Sequence, residues 1–101
     1  MSAKLVVLYA TPDDPDSFDK HYRDEHVPLV EKVPGLERFE WATFAAAADG
    51  GELGYRVMAE LYFADPDALQ TAMGSDEGKA AANHYAQIAP PGSRMFVAIT
   101  G

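Results

Sequence analysis

An aspartate followed by proline occurs at Asp14-Pro15 and again at Asp65-Pro66, each time a few residues beyond a run rich in β-branched and apolar side chains. The pair predicts where helices begin. The carboxylate caps orphan N–H groups of the first turn, and proline at the first helical position gives up only an N–H that has no helical partner. The runs before them, residues 4–10 (KLVVLYA) and 55–63 (YRVMAELYF), read as strands. A chain that repeats strand and then capped helix is restricted to mixed folds.

The remaining segments complete the pattern. The first helix carries Asp16 near its positive end and stops at Val33-Pro34-Gly35, through the proline and a glycine that tolerates positive φ. Residues 36–45 (LERFEWATFA), with Phe39, Trp41 and Phe44, read as a second strand, and residues 48–54 as a loop. In the third strand Tyr55, Val57, Ala59, Leu61 and Phe63 share one face, while Arg56, Met58, Glu60 and Tyr62 share the other. The helix opened by Pro66 ends at Gly74. Ser75 caps a further helix to about Ile88, with Ala81, Tyr85 and Ile88 on one face. Pro90-Pro91-Gly92 breaks it before a last strand, residues 95–100 (MFVAIT).

Strand, helix, strand, strand, helix, strand is the split βαβ order. It predicts an α+β, ferredoxin-like (βαββαβ) fold with a four-stranded antiparallel sheet and its helices on one face. A chain of 101 residues supports one such domain, residues 1–101, with one core. The first strand offers Val6 and Leu8 on one side and Leu5, Val7 and Tyr9 on the other, and the last offers Phe96 and Ala98 against Met95, Val97 and Ile99. Only one of these faces can lie under helices. A second copy of the sheet is the simplest cover for the other, so the expectation is a homodimer.

Tyr22–Leu29 (YRDEHVPL) places a histidine and a proline inside the first helix. Pro28 has no N–H for the Asp24 carbonyl, so it must kink the helix or start a new turn. On a straight helix with Phe18 at zero, Leu29 falls at about 20°, Tyr22 at about 40°, Val33 at about 60°, His26 at about 80° and Val30 at about 120°. His26 thus lies inside the apolar arc. Asp19, at the arc's edge, is positioned to pair with Arg23. His21 and His26 are five apart and diverge, which argues against a metal site in this segment, and His21 instead faces Glu25 as a surface pair.

Composition narrows the function classes. A formal charge of -8 repels phosphate backbones and anionic headgroups, so neither nucleic acid nor membrane is an expected partner. The absence of cysteine excludes thiolate metal sites and thiol nucleophiles and fits a cytoplasmic protein. The glycines at 50, 51 and 54 lack the strand-to-helix setting of a phosphate loop, and no serine sits in a nucleophile elbow.

His26 and aromatic side chains remain. A lone histidine on an apolar helix face is as a rule a satisfied core residue. Against that, Tyr22 stands one turn before His26 on the same face, and the sheet can bring Tyr9, Phe39, Trp41 or Tyr62 to them, which makes a small-molecule pocket with a phenol and an imidazole. Burial lowers the pKa of such a histidine, whereas nearby carbonyls and carboxylates raise it. His84 either borders this pocket or caps a surface, and Tyr85 reads as core.

Tyr22, His26, Pro28 and Leu29, with Phe18 before them and Pro34-Gly35 after, resemble the EthD family of small dimeric α+β barrel proteins. The likeness continues through Leu61-Tyr62-Phe63, Asp65, Ala68-Leu69 and Ser75–Gly78. It implies a side-by-side homodimer, a ligand cleft between helices and sheet, and His26 as the polar group within it. Family members are often labelled reductases, and relatives include lactone isomerases and cofactor-free oxygenases. Hydride transfer needs a nicotinamide or flavin, and nothing here resembles a site for either, so no cofactor is expected. Two functions follow from the resemblance: an isomerase- or oxidoreductase-like enzyme with His26 as general acid or base, and a non-catalytic binding or accessory protein. Haem binding through a histidine, as in other dimeric α+β barrels, is a third.

Overall fold

The computed structural model describes residues 1–101. Strand β1 (Ala3–Ala10) is followed by helix α1 (Pro15–His21), a π-helical turn (Tyr22–His26), helix α2 (Val27–Glu31), strands β2 (Arg38–Thr43) and β3 (Tyr55–Phe63), helices α3 (Pro66–Gly74) and α4 (Asp76–Ile88), and strand β4 (Arg94–Ile99). The sheet is antiparallel throughout, in the order β2-β3-β1-β4. This is the split βαβ arrangement. Both Asp-Pro pairs start helices as read: Asp14 accepts the Ser17 amide at 3.1 Å, and Asp65 accepts the Ala68 amide at 2.7 Å. Gly35 has a φ of 79° where the first helical segment stops.

Cross-strand register puts Leu5 opposite Leu61, Val7 opposite Ala59 and Tyr9 opposite Val57, all buried beneath the helices. The other face is mixed rather than apolar. Val6, Met58 and Phe96 share it with a Lys4–Glu60 ion pair of 2.8 Å. The hydrophobic exposure concentrates on β4, where Met95, Phe96, Val97 and Ile99 are all exposed although they alternate between faces. No helix is long and apolar enough to cross a membrane.

The first helical segment departs from a straight helix before its proline. The Val27 amide donates to the Tyr22 carbonyl five residues back, so one extra residue is taken into the turn. Phe18, Tyr22, His26 and Val30 consequently form one buried file. On a uniform α-helix, residues spaced by four drift by about 40° per step, and Val30 would stand about 120° from Phe18. The wide turn cancels much of that drift. Val30, expected at the arc's margin, is core, while Leu29, expected near its centre, is half-buried.

Two polar expectations on this segment divide. His21 pairs with Glu25 as read. Asp19 does not pair with Arg23; it takes both donors of Arg56, at 2.5 and 3.3 Å, because β3 brings the guanidinium within reach of α1. Arg23 contacts its neighbour Asp24 instead.

Helices α3 and α4 share one joint. The Ser75 hydroxyl donates to the Ala72 carbonyl at 2.5 Å and accepts the Gly78 amide at 3.0 Å, closing one helix and opening the next. Gly78 lies so close to the end of α3 that a Cβ there would stand 2.0 Å from the Ala72 oxygen.

Candidate functional site

The file Tyr22–His26–Val30 faces the helix-covered side of the sheet, and a cleft lies between them. Its walls include Leu5, Val7 and Tyr9 of β1, Phe39 of β2, Ala59 and Leu61 of β3, Met73 of α3, Ala81, Ala82 and Tyr85 of α4, and Met95 of β4. Counted to its open mouth the cleft holds about 390 Å³, but only about 30 Å³ admits the centre of a water-sized sphere, room for about two waters. A larger occupant requires side chains to move, and the flexible Met73 and Met95 line the wall.

Tyr9 is the centre of an aromatic cluster. Its ring lies 5.4 Å from Phe18, 5.2 Å from Tyr22, 6.2 Å from His26 and 5.4 Å from Tyr85, mostly edge-on. The Tyr9 hydroxyl is 3.1 Å from His26 Nε2, and His26 Nδ1 is 2.9 Å from Nδ1 of His84 on α4, with the two imidazoles stacked at 17°. Hydrogen accounting assigns the protons. The buried Tyr9 hydroxyl hydrogen-bonds to Nε2 alone, so the phenol donates to it. His26 then carries its proton on Nδ1 and donates to His84.

Burial raises the pKa of Tyr9, with Tyr22 and Tyr85 adding to it, so the phenol stays protonated. Burial, with a smaller contribution from His84, lowers His26 to about 4. Of the opposing influences weighed from the sequence, desolvation wins. The unfolded chain therefore binds a proton at His26 below its ordinary 6.5 that the folded chain does not bind until pH falls to about 4. Stability is expected to drop by up to about 3 kcal/mol as pH falls through that window, and to change no further from this group below it. His26→Gln should remove this component from a series of urea unfolding curves.

The Tyr22 hydroxyl is different. It is fully buried and has no hydrogen-bond partner. An unpaired buried hydroxyl costs about 1–3 kcal/mol. Burial also raises its pKa, so it presents an O–H donor to its surroundings.

The structure therefore brings Tyr9, Tyr22, His26 and Phe39 together at the cleft. Trp41 packs edge-on against Tyr22 at 5.0 Å, half in solvent and outside the cleft lining. Tyr62 is elsewhere. Strand alternation puts it on the opposite face from Leu61 and Phe63, where its hydroxyl donates to Glu60 at 3.2 Å and the Arg38 guanidinium lies 4.0 Å over its ring. Its inclusion with the cleft residues is corrected by the same period-2 rule that placed Val57, Ala59 and Leu61 inside. Of the two places read for His84, bordering the pocket or capping a surface, the first holds: the crossing of α4 over the π turn brings it against His26, just behind the lining.

The sequence matches the EthD domain over residues 11–90. It is 36% identical over 93 residues to an uncharacterized 11.0 kDa protein in the thcB-thcC intergenic region of Rhodococcus erythropolis, covering 92% of this chain and 89% of that protein. An EthD family protein from Bacillus halodurans superposes with a TM-score of 0.93 at 34% identity, over 100% of both chains. Hydroxynitrile lyase from Passiflora edulis is similar at a TM-score of 0.79 and 12% identity, over 99% and 94% of the two chains. SnoaB, a cofactor-independent oxygenase from Streptomyces nogalater, is similar at 0.67 and 14%, over 98% and 92%. At those identities the last two share the fold alone.

Proposed function

The chain belongs to the EthD family, and we propose that its cleft binds a mostly apolar small molecule carrying one oxygen function, on which Tyr9, Tyr22 and His26 carry out proton transfer. The observation that supports this reading best is the unpartnered Tyr22 hydroxyl in a mostly apolar cleft. It offers an O–H to a carbonyl or hydroxyl oxygen of a guest. Tyr9 keeps acceptor capacity on its oxygen while donating to His26. A neutral imidazole behind a phenol can take up and return a proton, the step an isomerisation of a carbonyl compound needs. Since both nitrogens of His26 are engaged, its acid–base role on the guest is exerted through Tyr9. Two neighbours of this fold are by name a hydroxynitrile lyase and a cofactor-independent oxygenase, and they lend the fold rather than the reaction.

The exposed apolar side chains on both faces of β4, an edge strand, support a homodimer as the working unit, since a second copy packed along that edge would cover them. The alternative function, sequestration without turnover, uses the same cleft. Cyclohexenone is a suitable probe because it is apolar, neutral and carries one carbonyl. We expect it to quench Trp41, which touches Tyr22, and to exchange its acidic C–H protons for deuterium faster with the protein than with His26→Gln. Quenching without catalysed exchange would favour the sequestering reading, and neither effect would reject the cleft as a carbonyl site. Native mass spectrometry should give twice the 10.9 kDa chain mass.

A further inference from the structure

His84 is the one imidazole in contact with His26, and it is the partner that reaches solvent. His26 itself is 4% exposed, while His84 is half-buried on α4. Nδ1 of each ring faces the other at 2.9 Å, and the far nitrogen of His26 meets the Tyr9 hydroxyl at 3.1 Å. Three proton-carrying groups therefore form an unbroken line from the cleft wall to the surface. Burial disfavours a charged His26, so holding a proton there as imidazolium is costly. Passing one through is not, because an imidazole accepts on one nitrogen as it releases from the other.

We propose that His84 is the relay residue through which the cleft exchanges protons with water, acting through His26 rather than on any guest. This rests on the proton-transfer reading above but is separable from it. The atoms balance in a single shift. Tyr9 gives its hydroxyl proton to His26 Nε2, His26 gives its Nδ1 proton to His84 Nδ1, and His84 gives its Nε2 proton to water. The Tyr9 oxygen is left to take a proton from whatever lies in the cleft. Each histidine ends neutral with its tautomer switched, and the reverse shift resets the line. His84 also positions the system, since its acceptor nitrogen holds the His26 proton on Nδ1 and keeps Nε2 free to accept from Tyr9.

The test needs no guest. The solvent exchange of the His26 Nδ1 proton and the Tyr9 hydroxyl proton can be followed by NMR in the whole protein, with the Tyr22 hydroxyl as an internal control that is equally buried but off the line. In His84→Gln, which keeps an acceptor but cannot relay, exchange of both protons should slow by about a hundredfold or more, the lower end of what one well-placed acid–base group contributes. Tyr22 should be unchanged. In His84→Ala, added imidazole should restore the rate. Unaltered exchange in these variants, absence of rescue, or equal slowing at Tyr22 would overturn the relay. None of these outcomes depends on whether cyclohexenone binds, so a failed probe and a failed relay are distinguishable.

Discussion

Tyr22→Phe is expected to yield a more stable protein that binds less well. The substitution removes one oxygen from a position where it is fully buried and makes no hydrogen bond, and keeps the ring contacts to Phe18, Tyr9 and Trp41. Relief of an unsatisfied hydroxyl is worth about 1 kcal/mol at the low end, which in a domain of this size raises Tm by about 4–8 °C. The guest loses a donor at the same time, and a neutral hydrogen bond of about 1 kcal/mol corresponds to roughly fivefold weaker cyclohexenone binding. Opposite signs in the two measurements distinguish a binding group from a packing group. A fall in Tm would mean that the hydroxyl is already satisfied in the empty protein.

Gly78→Ala should be the most damaging glycine-to-alanine substitution in this chain. The new carbon would meet the Ala72 carbonyl oxygen at 2.0 Å and the Met73 Cα at 2.9 Å, both backbone atoms, so no side chain can swing aside. The α3–α4 joint would have to open by more than an ångström, breaking the Ser75 bonds to Ala72 and Gly78. Overpacking of this kind costs about 3 kcal/mol or more, and thermal unfolding should fall by about 12 °C or more. The effect reaches the cleft, because α4 carries Ala81, His84 and Tyr85. Loss of the His26–His84 hydrogen bond should accompany it in NMR spectra. An unchanged Tm would show that the two helices do not meet as closely as described.

What could be read from residues alone was what short range decides. Asp14, Asp65 and Ser75 announced three helix starts because capping is a matter of three or four neighbouring residues. The alternation from Tyr55 to Phe63 named the inner face of β3, and that rule applied strictly would also have kept Tyr62 out of the cleft. The pairing of His21 with Glu25 was local as well. Asp19 escaped local reasoning because its partner Arg56 arrives on a strand 37 positions away. The contact between His84 and His26 escaped for the same reason, at 58 positions, although His84 was itself read as a residue of the pocket's border or of a surface cap. The environment of His26 was recognisable in kind, an imidazole among aromatics, yet the balance between burial and nearby carboxylates needed the packing to resolve it. Proline at 28 signalled an irregularity, but the carbonyl that a displaced N–H would choose was not written in the residue types.

The wide turn at Tyr22–His26 has the form of a one-residue insertion. Without Asp24, for instance, the segment could return to uniform four-residue bonding, and counting about 100° per residue would bring Val30 to about 20° from Phe18, still on the buried side. Burial of Phe18, Tyr22 and Val30 on one side therefore does not by itself require the additional residue. What the additional residue alters is the azimuth of the imidazole between them, and with it the direction from which His26 meets Tyr9 and His84.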